Sequence, residues 1–207
     1  MLNGLYDAKM DGQPVLALTG LQFHDLIGTY TQQDVALDRL YMDVATCNER
    51  VMGPTHVENL VDLAVRVALS YRTVSHISFP VDFQEMEVKK RQRSKRNIPN
   101  HTSRSEAEGA MMADPSDLDR AADILNSGKK IAILAGRGAL NATSELEQIA
   151  EVLGAPIVKA LLGRGAVPDD SPYTTGTVGL LGTLPSQEVM ESCDRLLMVG
   201  TDRKSVV

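Results

Sequence analysis

The stretch Lys130-Ile131-Ala132-Ile133-Leu134-Ala135-Gly136-Arg137-Gly138-Ala139-Leu140 decides how the chain reads. A short apolar β run ends abruptly in Gly136-Arg137-Gly138, and a helix is expected to follow. A strand that stops at glycines lets backbone N–H groups approach a phosphate or an adenine edge without a Cβ in the way. The helix after it offers a positive N-terminus. That is a nucleotide-site geometry. The third glycine of the dinucleotide fingerprint is missing and Asn141 stands near its place, so the neighbouring sequence has to carry the rest.

Outward from this stretch, short apolar runs alternate with amphipathic segments. Asp114-Pro115 reads as a cap followed by proline at the first helical position, with Leu118, Ala121, Ala122, Ile124 and Leu125 on a helical stripe. After the strand at 130–135, Ser144 and Glu147 form a capping-box pattern for a helix to Leu153, stopped by Gly154. A strand over 156–161, a helix around 186–193 and the run Leu196-Leu197-Met198-Val199 before Gly200 complete the series. Such alternation predicts parallel βαβ layers with right-handed crossovers and a binding crevice at the strand C-termini. Glycines cluster where those strands should end: Gly136 and Gly138, Gly163 and Gly165, then Gly176, Gly179 and Gly182. Three glycine-bearing loops on one sheet edge would hold a flat cofactor mainly through backbone contacts; turns and tight helix–strand packing are the other use of such glycines.

The earlier half repeats the theme. Residues 1–11 read as the tail of a helix, and Val15-Leu16-Ala17-Leu18 as a strand buried on both faces, ending at Gly20. Val35, Leu37 and Leu40 suit a short helix within 32–41. Thr55-x-x-Glu58 is a capping box ahead of Val57, Leu60, Val61, Ala64, Val65 and Ala68, the best-defined helix in the sequence. His76-Ile77-Ser78-Phe79 reads as another strand, stopped by Pro80. From about Gln84 to Asp114 periodicity disappears; this polar segment, with Pro99 and the basic run Lys89, Lys90, Arg91, Arg93, Lys95 and Arg96, is expected to be an interdomain linker.

The 207 residues are 43% hydrophobic and 23% charged, a globular composition long enough for one or two domains. A formal charge of -6 argues against general affinity for nucleic acid or an anionic membrane. The basic run lacks interleaved aromatics to stack on bases, which leaves an RNA-binding arm as a lesser reading of it. Cys47 and Cys193 stand far apart with no metal or redox spacing, as expected of two thiols in a reducing compartment. No run approaches the roughly 20 apolar residues of a membrane span, and a cytoplasmic protein is the default expectation. His24, His56, His76 and His101 show no metal spacing, and neither a G-x-S-x-G elbow nor a P-loop is present. Asp169-Asp170, flanked by Pro168 and Pro172, reads as turn chemistry.

Taken in order, several stretches resemble the thiamine diphosphate enzymes of the pyruvate oxidase and acetohydroxyacid synthase type. They are Asn3-Gly4-Leu5-Tyr6-Asp7-Ala8 leading into Pro14-Val15-Leu16-Ala17-Leu18-Thr19-Gly20; Tyr30-Thr31-Gln32-Gln33-Asp34; His76-Ile77-Ser78-Phe79-Pro80-Val81-Asp82; Gly136-Arg137-Gly138-Ala139; Ala155-Pro156-Ile157-Val158 with Ala160-Leu161-Leu162-Gly163; and Gly176-Thr177-Val178-Gly179-Leu180-Leu181-Gly182. The resemblance implies an α/β protein of two parallel-sheet, Rossmann-like units joined by a polar basic linker. Residues 1–85 would be the C-terminal half of a pyrimidine-binding domain, hence incomplete; 86–114 the linker; 115–207 a truncated central domain.

The same resemblance implies that the glutamate activating the cofactor, and the G-D-G…N segment that holds magnesium and the diphosphate, lie outside this sequence. The chain would then be an internal piece of an enzyme more than twice its length, inactive by itself, with no catalytic or metal-binding residue of its own. In flavin-binding members the central domain holds FAD through loops matched here by Gly136, Arg137 and Gly138, by Leu161, Leu162 and Gly163, and by Gly179, Leu180, Leu181 and Gly182. Gln32 would approach the substrate from the first unit. The implied activity is decarboxylation of a 2-oxo acid, pyruvate foremost, by a homodimer or homotetramer using thiamine diphosphate, Mg2+ and FAD. An acetolactate synthase-like carboligase and a non-catalytic dinucleotide-binding Rossmann module are the alternatives. The ending Arg203-Lys204-Ser205-Val206-Val207 departs from the family pattern and is expected not to belong to the native frame.

Overall fold

A computed structural model describes residues 1–87, 93–98 and 112–201. The chain divides into two compact units, Met1–Ala110 and Met111–Val207.

In the first unit, helix α1 (Leu2–Met10) leads to strand β1 (Val15–Leu21). The short helix α2 (Leu37–Leu40) precedes β2 (Cys47–Arg50), and α3 (Val57–Tyr71) precedes β3 (Val74–Pro80) and the one-turn α4 (Val81–Gln84). The three strands form a wholly parallel sheet in the order β1-β3-β2. Central β3 is the most buried, as its place between β1 and β2 requires, and its side chains divide between two cores. Val74 joins Leu5, Ala17, Tyr41 and Val44 on one side; Ile77 joins Leu60, Ala64 and Val67 of α3 on the other.

One expectation fails here. Thr55 and Glu58 do not close a capping box, because a 3-10 turn over Pro54–His56 precedes α3 and displaces the helix start. The Thr55 carbonyl instead accepts from Asn97 Nδ2 at 3.0 Å, and the Glu58 carboxylate pairs with Arg93. Those contacts, with Asn59 Nδ2 donating to Asn97 Oδ1 at 2.6 Å, lay the described residues 93–98 of the expected linker against α3 within the first unit. The rest of the basic run, Lys89, Lys90 and Arg91, lies outside the described residues.

The second unit opens with α5 (Pro115–Asn126), capped as expected by Asp114, whose Oδ1 accepts from Ser116 N at 2.9 Å. Strands β4 (Ile131–Ala135), β5 (Ile157–Lys159), β6 (Thr174–Thr177) and β7 (Arg195–Val199) form a second parallel sheet in the order β6-β5-β4-β7. Helix α6 (Thr143–Leu153), ended by Gly154 at φ 60°, buries Leu146 and Ala150 against Ile133, Ala135 and Ile157. Helix α7 (Leu184–Ser192) puts Val189 and Met190 on the opposite face, against Leu134, Val158 and Ala160. Helices on both faces explain why β4 is apolar at every position.

The capping box read at Ser144 and Glu147 does not form either. The helix begins at Thr143, Ser144 Oγ accepts from Gln148 Nε2 at 3.1 Å, and Glu147 accepts from Ser171 Oγ at 2.6 Å. No helix among the described residues is long and apolar enough to cross a membrane.

Candidate functional site

Because every strand of the second sheet runs the same way, the ends of β4, β5 and β6 open onto one edge. The glycine loops read from the sequence, residues 136–138, 161–163 and 179–182, all leave that edge. The structure assigns their glycines a use different from bare amides awaiting a ligand. Gly136 N donates to Val199 O at 2.8 Å, Gly138 N to Gly200 O at 2.8 Å, Gly163 N to Ala160 O at 2.9 Å and Gly182 N to Gly179 O at 2.8 Å. These four N–H groups are spent inside the protein.

What the missing side chains permit is backbone contact. A Cβ on Gly163 would lie 2.3 Å from Ala135 O and 2.7 Å from Gly136 Cα; one on Gly138 would lie 2.7 Å from Gly200 Cα. Gly200 completes this knot at φ 65°, with its own Cβ position 2.4 Å from Ala139 N. The glycines therefore draw the tips of β4, β5 and β7 together. The same loops present apolar side chains outward: Leu161 is 67% exposed, Leu180 wholly and Leu181 80%, and Leu162 and Leu140 are also exposed. Arg137, half-buried, supplies a cation at the tip of β4. The edge thus offers a thin, glycine-knit backbone, a row of leucines and one arginine, a surface suited to a flat, largely apolar ring with an anionic tail.

Sequence reasoning missed the side chain beneath this edge. Lys159, the last residue of β5, is wholly buried; its Nζ donates to Val167 O at 3.2 Å and to Asp169 Oδ1. The Lys159 hydrogen bond and charge, with Arg164 adding to them, hold the Asp169 carboxyl below the usual carboxylate range. Asp169 is thus more than a turn residue: it tethers the loop after β5. An apolar run ending in one lysine followed ten residues later by an aspartate carried no periodic signal that could have shown it.

In the first unit, Gln32 is exposed in the loop following β1, and its carbonyl accepts from Gln22 Nε2 at 2.6 Å. Asp34 fastens that loop by accepting from Gly28 N and Tyr30 N, both at 2.9 Å, and these bonds lower its pKa. Tyr30 and Gln33 hold positive φ of 62° and 63° there. At the ends of β1 and β3, Asp82 accepts from His24 N at 3.1 Å and from His24 Nδ1, while the His24 ring stacks on Phe83 at 5.0 Å. Partial desolvation raises the Asp82 pKa, yet the His24 hydrogen bonds outweigh it and hold it low.

His76 is fully buried and stacks on Tyr41 at 4.0 Å. Asn48 gives its amide N–H to Asp38 O, so its Oδ1 faces His76 Nδ1 at 2.7 Å and that nitrogen carries the proton; Nε2 then accepts from Thr19 Oγ1 at 2.8 Å. The ring ties all three strands together. Among the described residues no group of three His, Cys, Asp or Glu side chains is arranged to hold a metal. Cys47 is buried and Cys193 half-buried, with no disulfide between them. Residues 203–207, expected to be foreign to the native frame, lie outside the described residues.

Residues 118–206 match the model of the thiamine pyrophosphate enzyme central domain. The chain is 37% identical over 201 residues to YdaP of Bacillus subtilis (strain 168), named as thiamine pyrophosphate-containing, covering 97% of this chain and 34% of that protein. It is 26% identical to a pyruvate oxidase of Lactiplantibacillus plantarum, covering 98% of this chain and 33% of the relative. It is 27% identical to the chloroplastic acetolactate synthase of Arabidopsis thaliana, covering 97% of this chain and 29% of that protein. The chain thus spans about a third of the length of these relatives. The second unit, with its parallel sheet, thus carries the match to the thiamine pyrophosphate enzyme central domain, and the chain along its length is similar to relatives named for thiamine pyrophosphate, pyruvate oxidase and acetolactate synthase.

Proposed function

We propose that this chain is part of a thiamine diphosphate-dependent enzyme that decarboxylates a 2-oxo acid, pyruvate foremost, and that the tip edge of its second sheet seats FAD. The observation that carries the reading is the convergence of residues 136–138, 161–163 and 179–182 on one sheet edge, with Leu161, Leu162, Leu180 and Leu181 exposed along it. Thiamine diphosphate supplies the electron sink for decarboxylation and FAD a two-electron acceptor. The leucines would cover the flavin ring and exclude water from it, and Arg137 would meet the diphosphate. Because the amides of Gly136, Gly138, Gly163 and Gly182 are spent on internal carbonyls, the part of these glycines is to let the tips close, leaving side chains to hold the cofactor.

Gln32 would face the substrate from the first unit. Magnesium would accompany thiamine diphosphate in a homodimeric or homotetrameric, cytoplasmic enzyme. A carboligase is the second reading, supported by the near-equal identity to proteins named pyruvate oxidase and acetolactate synthase, 26% and 27%.

The test is titration of the purified chain with FAD and with NAD, read by flavin fluorescence quenching and by thermal stabilisation. FAD is expected to bind and NAD to fail. Binding of NAD without FAD would favour a non-catalytic dinucleotide module, and binding of neither would remove the flavin from the account.

A further inference from the structure

Beside β6 lies a cavity of about 330 Å³ whose walls include Arg164, Asp169, Thr174, Thr175, Thr177 and Thr183. None of these residues belongs to the strand-tip surface assigned above to the flavin. The volume is at the small end of ligand cavities, which run from roughly 300 to 1,000 Å³.

Its hydrogen-bonding character is one-sided. Thr174 Oγ1 donates to Ile157 O at 3.1 Å, Thr177 Oγ1 to Leu181 O at 3.2 Å and Thr183 Oγ1 to Thr175 O at 2.7 Å, so these hydroxyls have spent their hydrogens; Thr174 Oγ1 also accepts from Gly176 N at 3.2 Å and Thr183 Oγ1 from Ser186 N at 3.4 Å, which leaves each of those two one free lone pair. Asp169 adds a carboxylate oxygen, Oδ2, since Oδ1 is occupied by Lys159. Against these acceptors stands one strong donor. The Arg164 guanidinium is 71% exposed, and its contact among the described residues is Asp169 Oδ2 at 3.9 Å, too long for a hydrogen bond. The planar N–H fork is unspent.

Charge then selects the ligand. Lys159 and Arg164 bring two positive charges to one carboxylate, Asp169, leaving the wall with one positive charge uncompensated. A monoanion balances it. A zwitterion would leave the excess in place, a neutral polyol would leave the guanidinium unpaired, and a phosphate monoester brings more charge than the wall balances. The remaining acceptors call for hydroxyl donors. We propose that this cavity binds a small hydroxylated monocarboxylate, a sugar acid of roughly three to six carbons. Its carboxylate takes the Arg164 fork bidentately, and its hydroxyls donate to Asp169 Oδ2 and to the threonine oxygens. The buried Lys159 keeps Asp169 ionised and in place.

The whole chain is titrated calorimetrically and by thermal shift with D-glycerate and D-gluconate, and in parallel with sorbitol, hexanoate, L-serine and inorganic phosphate. One of the two sugar acids is expected to bind and raise Tm while the four comparison compounds bind at least tenfold more weakly. Arg164→Gln, at an exposed position, should leave the ligand-free Tm unchanged and weaken sugar-acid binding by about tenfold or more, with Arg164→Lys intermediate because it keeps charge without the fork. Binding of neither sugar acid overturns the proposal. So does equal binding of hexanoate, L-serine or phosphate, or an affinity that Arg164→Gln leaves unaltered.

Discussion

Replacing Gly163 by alanine puts a methyl carbon where neighbouring main chain already stands. The new Cβ would lie 2.3 Å from Ala135 O and 2.7 Å from both the carbonyl carbon and Cα of Gly136. These are backbone atoms, so no rotamer change relieves the clash. Restoring ordinary contact requires the tips of β4 and β5 to part by about 1 Å, which also strains the 2.9 Å hydrogen bond from Ala160 N to Ala135 O. Overpacking of this kind costs about 1–3 kcal/mol, and loss of the hydrogen bond about 1 kcal/mol more. For a unit the size of Met111–Val207, that corresponds to a fall in Tm of roughly 10–30 °C. Gly165→Ala is the control: its Cβ would meet the flexible Leu140 side chain at 3.4 Å, and a change within about 0.5 kcal/mol is expected. Scanning calorimetry of the two variants beside the parent chain measures both. Equal melting of Gly163→Ala and Gly165→Ala would refute the assignment of these glycines to backbone closure.

The Lys159–Asp169 pair should respond asymmetrically. Lys159→Met removes the buried charge and leaves an exposed carboxylate that water can solvate, whereas Asp169→Ala strands the buried ammonium on Val167 O; the second variant should melt lower than the first, and the reverse order would contradict the pairing. Desolvation holds the His76 pKa below its ordinary 6.5, so the unfolded chain takes up the proton first. The stability that His76 contributes is present above about pH 6.5 and is lost as pH falls from there toward the folded-state pKa. Asp34, Asp82, Asp114, Asp169 and Asp194 have lowered pKa values, so their contributions fade only below the ordinary carboxylate range. Urea titrations at pH 7.5 and pH 5.5 should therefore show a weaker first unit at the lower pH, and His76→Phe should flatten that difference. Supplied with pyruvate, thiamine diphosphate, Mg2+, FAD and an electron acceptor, the chain by itself should show no turnover; a clear rate would overturn the placement of the catalytic groups outside it.

The features legible in the sequence were those that local chemistry dictates alone. Apolar runs gave β1, β4, β5 and β7, and His76-Ile77-Ser78-Phe79 before Pro80 gave β3; Asp114-Pro115 marked a helix start and Gly154 a helix stop because cap and left-handed backbone are local properties. Strand β2 reads Cys47-Asn48-Glu49-Arg50 and β6 reads Thr174-Thr175-Gly176-Thr177, segments with no apolar alternation, and only pairing with β3 and β5 makes them strands. Neither capping box forms: a 3-10 turn over Pro54–His56 moves the start of α3, where Thr55 and Glu58 engage Asn97 and Arg93, and α6 starts at Thr143, where Glu147 engages Ser171. At the site, the positions of the glycine loops were readable from the spacing of strand ends, but the destination of their amides was not. Gly136 and Gly138 find their acceptors on Val199 and Gly200, more than sixty residues away, and no window of sequence contains both partners. His76 likewise draws its partners from Thr19 and Asn48, 57 and 28 residues away, whereas Lys159 and Arg164 meet Asp169 within ten residues at a spacing that carries no periodic signal.

Hydrogen–deuterium exchange of the chain with and without FAD bears most directly on the flavin seat. FAD should slow exchange in peptides covering residues 136–138, 161–163 and 179–182 together, and leave those of the first unit unchanged. Protection confined to other segments, with FAD demonstrably bound, would contradict the account.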